Sequence, residues 1–188
     1  MAQHEKTRFV VLDRDGVINR ESPDFIRSPE EWQPLPGSLQ AISELSRAGF
    51  RVVVATNQSG VGRGLFSTAT LTDIHDRMVH AIEASGGALA GIFVCPHRPE
   101  DQCDCRKPRP GLLRQIEAHF GVSLAGEPVI GDSARDLEAA HLVGGRAILV
   151  RTGNGVATER RLRAGTGVEV FPDLAAVVAT LIAERPGT

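Results

Sequence analysis

Short, nearly continuous apolar runs alternate along the chain with longer stretches in which apolar residues recur every three or four positions. The runs are Arg8–Asp13, Val52–Ala55, Gly91–Val94, Pro128–Gly131 and Ala147–Val150. Rich in Val and Ile and without polar alternation, they predict strands covered on both faces, as in a parallel sheet. The periodic stretches predict helices. Leu39, Ile42 and Leu45 form one stripe, stopped by Gly49, and Ser67–Ala84 carries Leu71, Ile74, Met78 and Ile82 on another. Pro110–Phe120 opens on proline and closes before Gly121, the asymmetry expected of a helix. Ala134–Leu142 and Asp173–Ala183 complete the set. Strand–helix alternation of this kind predicts right-handed βαβ units, and so an α/β fold with a Rossmann-like open parallel sheet and helices on both faces.

Two proline-rich segments interrupt the rhythm. Residues 19–36 hold Pro23, Pro29, Pro34 and Pro36; residues 95–110 hold Pro96, Pro99, Pro108, Pro110 and every cysteine of the chain. Loops of this length in a compact domain are usually functional or disordered.

The 188 residues fit one domain over 1–188. A net charge of -2, no Tyr and one Trp offer neither the basic field nor the stacking surface of a nucleic-acid binder. No apolar run approaches the roughly 20 residues that span a bilayer, and the N-terminus lacks a basic-then-apolar export pattern. A cytoplasmic monomer acting on a small molecule, with no nucleic-acid or membrane partner, is the expectation.

Ligands of open α/β sheets bind beyond the carboxyl ends of the strands. Asp13 ends the first predicted strand, with Asp15 two residues on; Asp132 follows the fourth, with Asp136 a helical turn later. If those strands are neighbours, Asp13, Asp15 and Asp132 converge, and clustered carboxylates repel unless a cation such as Mg²⁺ joins them. A single Asp in such a place reads equally well as a turn or cap residue; three together do not. Thr56 and Asn57 after the second strand, with Lys107, add a hydroxyl, backbone N–H groups and a fixed cation, the parts that hold a phosphoryl group.

The three cysteines, an odd and tightly clustered set, do not suggest a disulfide framework. Cys95, His97, Cys103 and Cys105 make a Cys₃His set that closes a tetrahedral Zn²⁺ site with no open position, so the ion is structural and fixes a loop of about 95–109. A redox Cys-x-Cys pair is the competing reading. Gly60–Gly64 lacks a full dinucleotide or P-loop fingerprint and reads as a turn in which Arg63 meets a sugar or distal phosphate. Arg20, Arg27 and Arg109 are weaker candidates of the same kind. His75, His80, His119 and His141 lie on helical stretches at no ligand spacing and read as packing or surface residues. Arg151–Gly155 is a further strand-end loop without assignable chemistry.

The order and spacing of these motifs resemble the haloacid dehalogenase superfamily: Leu12–Ile18 its first motif, Thr56 its second, Lys107 its third and Gly131–Asp136 its fourth. Within it, LDRDGVIN, TNQSGVGRG, CPH and CDCRKPRPG look like the D-glycero-D-manno-heptose 1,7-bisphosphate 7-phosphatase family, strongly over Phe9–Val150 and weakly in the tail. The resemblance implies a core without a large cap domain, carrying a zinc-loop insertion. It makes Asp13 the nucleophile that forms an aspartyl-phosphate and Asp15 the acid and then base. Asp13, the backbone carbonyl of Asp15, and Asp132 become the Mg²⁺ ligands. Thr56, Asn57 and Lys107 hold phosphoryl oxygens; Gln58, Ser59, Arg106 and Arg63 meet the substrate; Asp136 orients the loop or Lys107. The implied reaction is removal of the C7 phosphate in ADP-/GDP-heptose synthesis for lipopolysaccharide.

Histidinol-phosphate phosphatases share the DRDG start and zinc loop, but usually have Asp where Ser59 stands and lack the following GRG. Polynucleotide 3′-phosphatase fits less well, without a basic surface or kinase P-loop, and a non-catalytic zinc-stabilised module leaves the phosphotransfer residues unexplained. Two departures from the resembled family stand out: Ser133 replaces a Lys found after the fourth-motif Asp in some members, and Arg20–Phe25 matches the substrate-specificity loop only loosely.

Overall fold

The computed structural model describes residues 8–163 and 165–184; the remainder of the expected 1–188 unit lies outside the described residues. Its centre is a six-stranded sheet: β1 (Phe9–Leu12), β2 (Arg51–Asn57), β3 (Gly91–Cys95), β4 (Pro128–Gly131), β5 (Arg146–Val150) and β6 (Glu169–Phe171). The spatial order is β3-β2-β1-β4-β5-β6, and every neighbouring pair is parallel. The chain builds outward from β1 to one edge, then returns to β4 and builds to the other. β1 and β4 are thus adjacent, in register at Val11↔Val129 and Leu12↔Ile130, and the crevice beyond their ends lies where the strand order reverses, the usual ligand position in such sheets.

Successive strand residues face opposite sides of a sheet, and here both sides are covered. Val10, Leu12, Val52, Val54, Ile130, Ile148 and Val150 join one core with α1 (Ser38–Arg47), α3 (Thr68–Ala84) and α7 (Leu174–Ala183). Phe9, Val11, Val53, Ala55, Val129, Ala147 and Leu149 join a second with α4 (Gly111–Phe120) and α5 (Ala134–Leu142). Two buried faces explain why the strands read as continuous apolar runs. The ends are capped locally: Ser67 and Asp173 accept hydrogen bonds from Thr70 N and Ala176 N, and Gly121 closes α4 in the left-handed region at φ 64°.

Some elements differ from the sequence expectation. β1 loses Arg8 and Asp13 at its ends, whereas β2 gains Arg51 by pairing with Phe9 of β1, and Thr56 and Asn57 because β3 pairs with it as far as Asn57↔Cys95. The Gly60–Gly64 turn contains a one-turn helix, α2 (Ser59–Gly62). α6 (Gly155–Glu159) and the short edge strand β6 carried no usable periodicity. The 19–36 segment is irregular apart from a 3₁₀ turn at Pro29–Glu31, yet Ile26 and Trp32 are buried in the first core and pin it down. Among the described residues, no helix is long and apolar enough to cross a membrane.

Candidate active site

The crevice is built around a buried lysine. Lys107 Nζ lies 3.0 Å from Asp13 Oδ1 and 2.5 Å from Asp136 Oδ1, and donates to Ala55 O at 2.7 Å, so two carboxylates and a carbonyl surround it. Burial alone would lower its pKa, but the Asp13 and Asp136 carboxylates outweigh that and hold it protonated. Asp13 is pushed up to about 7 by burial, with Lys107 opposing and Asp136, Asp132 and Asp15 adding to the rise. Asp132 also rises to about 7, through burial against two hydrogen bonds from Asn154, with Asp136 and Glu21 raising it further.

Asp13, Asp132 and Asp136 each offer an oxygen within 4.8 Å of the others. An all-oxygen set with more anions than its one lysine can neutralise fits Mg²⁺. The three differ in how free they are. Asp136 Oδ1 faces Lys107, while its Oδ2 accepts from Ser133 N at 3.1 Å and Ser133 Oγ at 2.6 Å, so Asp136 is engaged as an orienting group. Ser133, in the position of the missing Lys, caps this arrangement.

The carboxylate of Asp15 stands apart. It receives Arg14 Nε at 3.2 Å and Arg14 Nη2 at 3.0 Å, Asn19 Nδ2 at 2.8 Å and Gln58 Nε2 at 2.8 Å. Burial would raise its pKa, but the Arg14 charge and the bonds from Asn19, Gln58 and Arg14 bring it below the usual carboxylate value. With its side chain so held, Asp15 has its backbone carbonyl to offer a metal.

The second-strand motif is tied to the cysteine loop. Asn57 Oδ1 accepts from Lys107 N and Asn57 Nδ2 donates to Lys107 O, both at 3.1 Å. This engages the Asn57 side chain and leaves its backbone for a phosphoryl oxygen. Thr56 Oγ1 accepts from Gln58 Nε2 at 2.9 Å, so Gln58, which also lines the wider cavity, holds Thr56 and Asp15 together. A narrow well of about 60 Å³, lined by Asp13, Thr56, Lys107 and Asp132, shares Asp15, Asn57 and Glu21 with a wider cavity of about 260 Å³. Ser59, Arg106 and Phe25 line that cavity. Arg106 donates to His97 O at 3.1 Å; Arg63 is exposed and lines neither space.

Sequence reasoning gave no site role to Arg14, Asn19, Glu21, Arg135 or Asn154. Arg14 is fully buried and meets His75 Nε2 at 3.3 Å, so of the two readings of His75 the packing one holds. His75 is pushed down to about 4 by burial and the Arg14 charge, and so accepts as the neutral ring. Glu21 is raised to about 7 by desolvation at the crevice mouth and by Asp15 and Asp13, with Arg135 opposing. Arg135 lines the well and the cavity. Asn154 holds Asp132 through its backbone N–H at 2.7 Å and its Nδ2 at 3.2 Å. The motif order marks Asp132, but nothing in the sequence marks a residue 22 positions later as its partner.

The four zinc-type donors also come together. Cys95 Sγ lies 3.6 Å from Cys103 Sγ and 3.7 Å from His97 Nδ1; Cys105 Sγ lies 3.4 Å from Cys103 Sγ and 3.3 Å from His97 Nδ1. Sulfurs about 2.3 Å from one tetrahedral Zn²⁺ stand roughly 3.7 Å apart, close to these separations. They are far beyond a disulfide bond, and all three cysteines are free. The cluster is compatible with a zinc-binding insertion.

Comparison with known proteins agrees with the site. Residues 104–177 match the HAD-hydrolase-like family model, and residues 8–140, which carry all four motifs, match the polynucleotide kinase 3 phosphatase model. The D-glycero-beta-D-manno-heptose-1,7-bisphosphate 7-phosphatase of Bordetella bronchiseptica is 52% identical over 177 residues, covering 94% of this chain and 99% of the relative. The enzyme of that name from Pseudomonas aeruginosa is 50% identical over 175 residues, covering 93% and 97%. The crystal structure of D,D-heptose 1,7-bisphosphate phosphatase from B. bronchiseptica, complexed with magnesium and phosphate, superposes with a TM-score of 0.93 at 51% identity, covering 95% of this chain and all of the other. The chain is a phosphoric monoester hydrolase and belongs to the D-glycero-β-D-manno-heptose-1,7-bisphosphate 7-phosphatase family of haloacid dehalogenase-like enzymes.

Proposed function

We propose that the protein is a Mg²⁺-dependent phosphatase that hydrolyses the C7 phosphate of D-glycero-D-manno-heptose 1,7-bisphosphate, a step in heptose precursor synthesis for lipopolysaccharide. The observation that carries the chemistry is the division of labour between two aspartates: Asp13 at the floor of the well beside Lys107, and Asp15 held above it by Arg14, Asn19 and Gln58.

An Asp13 carboxylate oxygen attacks phosphorus as the bond to the C7 oxygen breaks, and the departing oxygen takes its proton from Asp15. In the free protein Asp15 is ionised, so it acquires that proton as the phosphate dianion enters and offsets the Arg14 charge. A water then attacks the aspartyl-phosphate, Asp15 recovers a proton from it, and inorganic phosphate leaves with the Asp13 carboxylate restored. Lys107, the Thr56 hydroxyl and the Asn57 backbone hold the phosphoryl oxygens, where transition-state charge collects. Bound by Asp13, the Asp15 carbonyl and Asp132, Mg²⁺ would keep Asp13 ionised and offset repulsion between it and the phosphate.

A second phosphate on the substrate has its own counterpart. The Arg106 pKa is lowered by burial and by the charges of Arg135 and Arg63, and among the described residues neither Arg106 nor Arg135 forms an ion pair. Two guanidiniums on one cavity wall, neither in a salt bridge, favour a phosphate between them. Phosphate release measured side by side should favour the heptose bisphosphate over histidinol phosphate and a 3′-phosphorylated oligonucleotide by at least about 100-fold in kcat/KM, some 3 kcal/mol of discrimination. Preference for either rival would overturn the substrate assignment.

A further inference from the structure

The loop after β5, residues 151–155, closes over the fourth-motif aspartate from the side opposite Asp13's strand. Asp132 Oδ2 accepts from Asn154 N at 2.7 Å and from Asn154 Nδ2 at 3.2 Å. The same oxygen is walled in by two glycines in the left-handed region. A Cβ on Gly16 (φ 79°) would fall 2.1 Å from it, and a Cβ on Gly153 (φ 55°) 2.2 Å. Thr152 Oγ1 donates to Gly16 O at 2.6 Å, and Thr158 Oγ1 to Asp132 O at 2.9 Å, stitching this loop to those after β1 and β4. Asp132 Oδ1, by contrast, makes no hydrogen bond among the described residues.

We infer that Asn154 is a positioning residue that forces Asp132 to ligate through Oδ1 alone and thereby selects Mg²⁺ over Ca²⁺. The inference rests on reading the crevice as a Mg²⁺ site. Mg²⁺ demands near-octahedral geometry at 2.0–2.1 Å, which one-oxygen carboxylate ligands suit, whereas Ca²⁺ takes six to eight oxygens at 2.3–2.6 Å and accepts carboxylates through both oxygens. Occupying Oδ2 with two N–H donors, inside walls that exclude even a methyl group, blocks the second mode. Partners that orient a ligand in this way strongly influence metal affinity.

Calorimetric titration of the purified protein with MgCl₂ and with CaCl₂ tests this without recourse to turnover. Asn154→Ala and the milder Asn154→Ser both remove the Nδ2 donor while keeping the backbone bond. Each should weaken Mg²⁺ binding about tenfold and leave Ca²⁺ binding unchanged or tighter, so the Mg²⁺/Ca²⁺ preference falls by the same factor. Wild-type protein that binds Mg²⁺, with variants matching it within twofold for both ions, overturns the inference and leaves the proposed function intact. Equal weakening toward both ions makes Asn154 merely structural and also overturns it. Wild-type protein that binds no Mg²⁺ overturns the Mg²⁺ reading and the inference together.

Discussion

The carboxylate crevice and the cysteine loop each gather donors of a metal-binding kind, but they are held together differently. In the crevice, Lys107 sits between Asp13 and Asp136, and Arg14 grips Asp15 in a bidentate pair. Its carboxylates and Thr56 stand at or just beyond the ends of β1, β2 and β4 and on the first turn of α5, so the fold itself fixes them. In the loop, three thiols and an imidazole meet at 3.3–3.7 Å. Cys95 ends β3, but the backbone of the other three is irregular apart from a 3₁₀ turn at Pro99–Asp101, steadied by Arg98 and Asp101. The contrast teaches that one ion would add chemistry to a site already assembled, while the other would supply the assembly. Lys107 joins the two: its backbone belongs to the loop and is tied to Asn57, and its side chain belongs to the crevice.

The largest expected effect isolates the chemistry of the crevice. Asp13→Asn removes the proposed nucleophile and keeps its shape, so phosphate release should fall by about 10⁴-fold or more. The melting curve should be unchanged or shifted upward, since a carboxylate whose ionisation burial opposes has been replaced by a neutral group. Activity within tenfold of wild type would break the assignment of Asp13.

Next comes the metal contrast itself. Elemental analysis should find about one zinc per chain, and stripping it, or replacing Cys103 with Ser, should lower the melting temperature by about 10 °C, corresponding to roughly 3 kcal/mol for a chain of this size. That is well under the 10–16 kcal/mol known for small zinc peptides, because two hydrophobic cores exist without the ion. Removing Mg²⁺ alone should abolish turnover and move the melting temperature by no more than about 3 °C. Similar melting shifts for the two ions would erase the distinction between the regions.

Much of this is legible in the sequence. The strands showed because both of their faces are buried, and the helices because one stripe of each is. The strand-end aspartates and the cysteine spacing showed because their chemistry needs particular side chains at short range along the chain. What stayed hidden depends on long-range contact. His75 reads as one more helical histidine until Arg14 is seen against it, and Asn154 lies in a loop whose sequence says nothing of Asp132. β6 has three residues, too few for a periodicity. Asn57 reads from the sequence as a candidate phosphate-side residue, but nothing there shows that its side chain clasps the Lys107 backbone, a pairing across 50 positions.

The smallest expected effect asks which region recognises the far end of the substrate, because each contributes one guanidinium. Arg106 comes from the cysteine loop and donates to His97 O; Arg135 comes from the first turn of α5 and, among the described residues, makes no hydrogen bond to the loop whose pocket it borders. Arg135→Ala should raise KM for the bisphosphate about tenfold, the weight of one charge-assisted contact, with kcat held within about twofold. Turnover of p-nitrophenyl phosphate, which has no second phosphate, should not change. Arg63→Ala, at an exposed position outside the cavity lining, should change neither. Zinc-stripped protein sharpens the point. Losing the loop should weaken the Arg106 contribution and leave that of Arg135, so Arg135→Ala should cost as much in stripped protein as in intact protein, while Arg106→Ala should cost less. Equal losses for both arginines on stripping would mean that the loop positions the whole mouth of the crevice, and the division between a fold-built site and an ion-built loop would have to be redrawn with Arg135 on the loop's side.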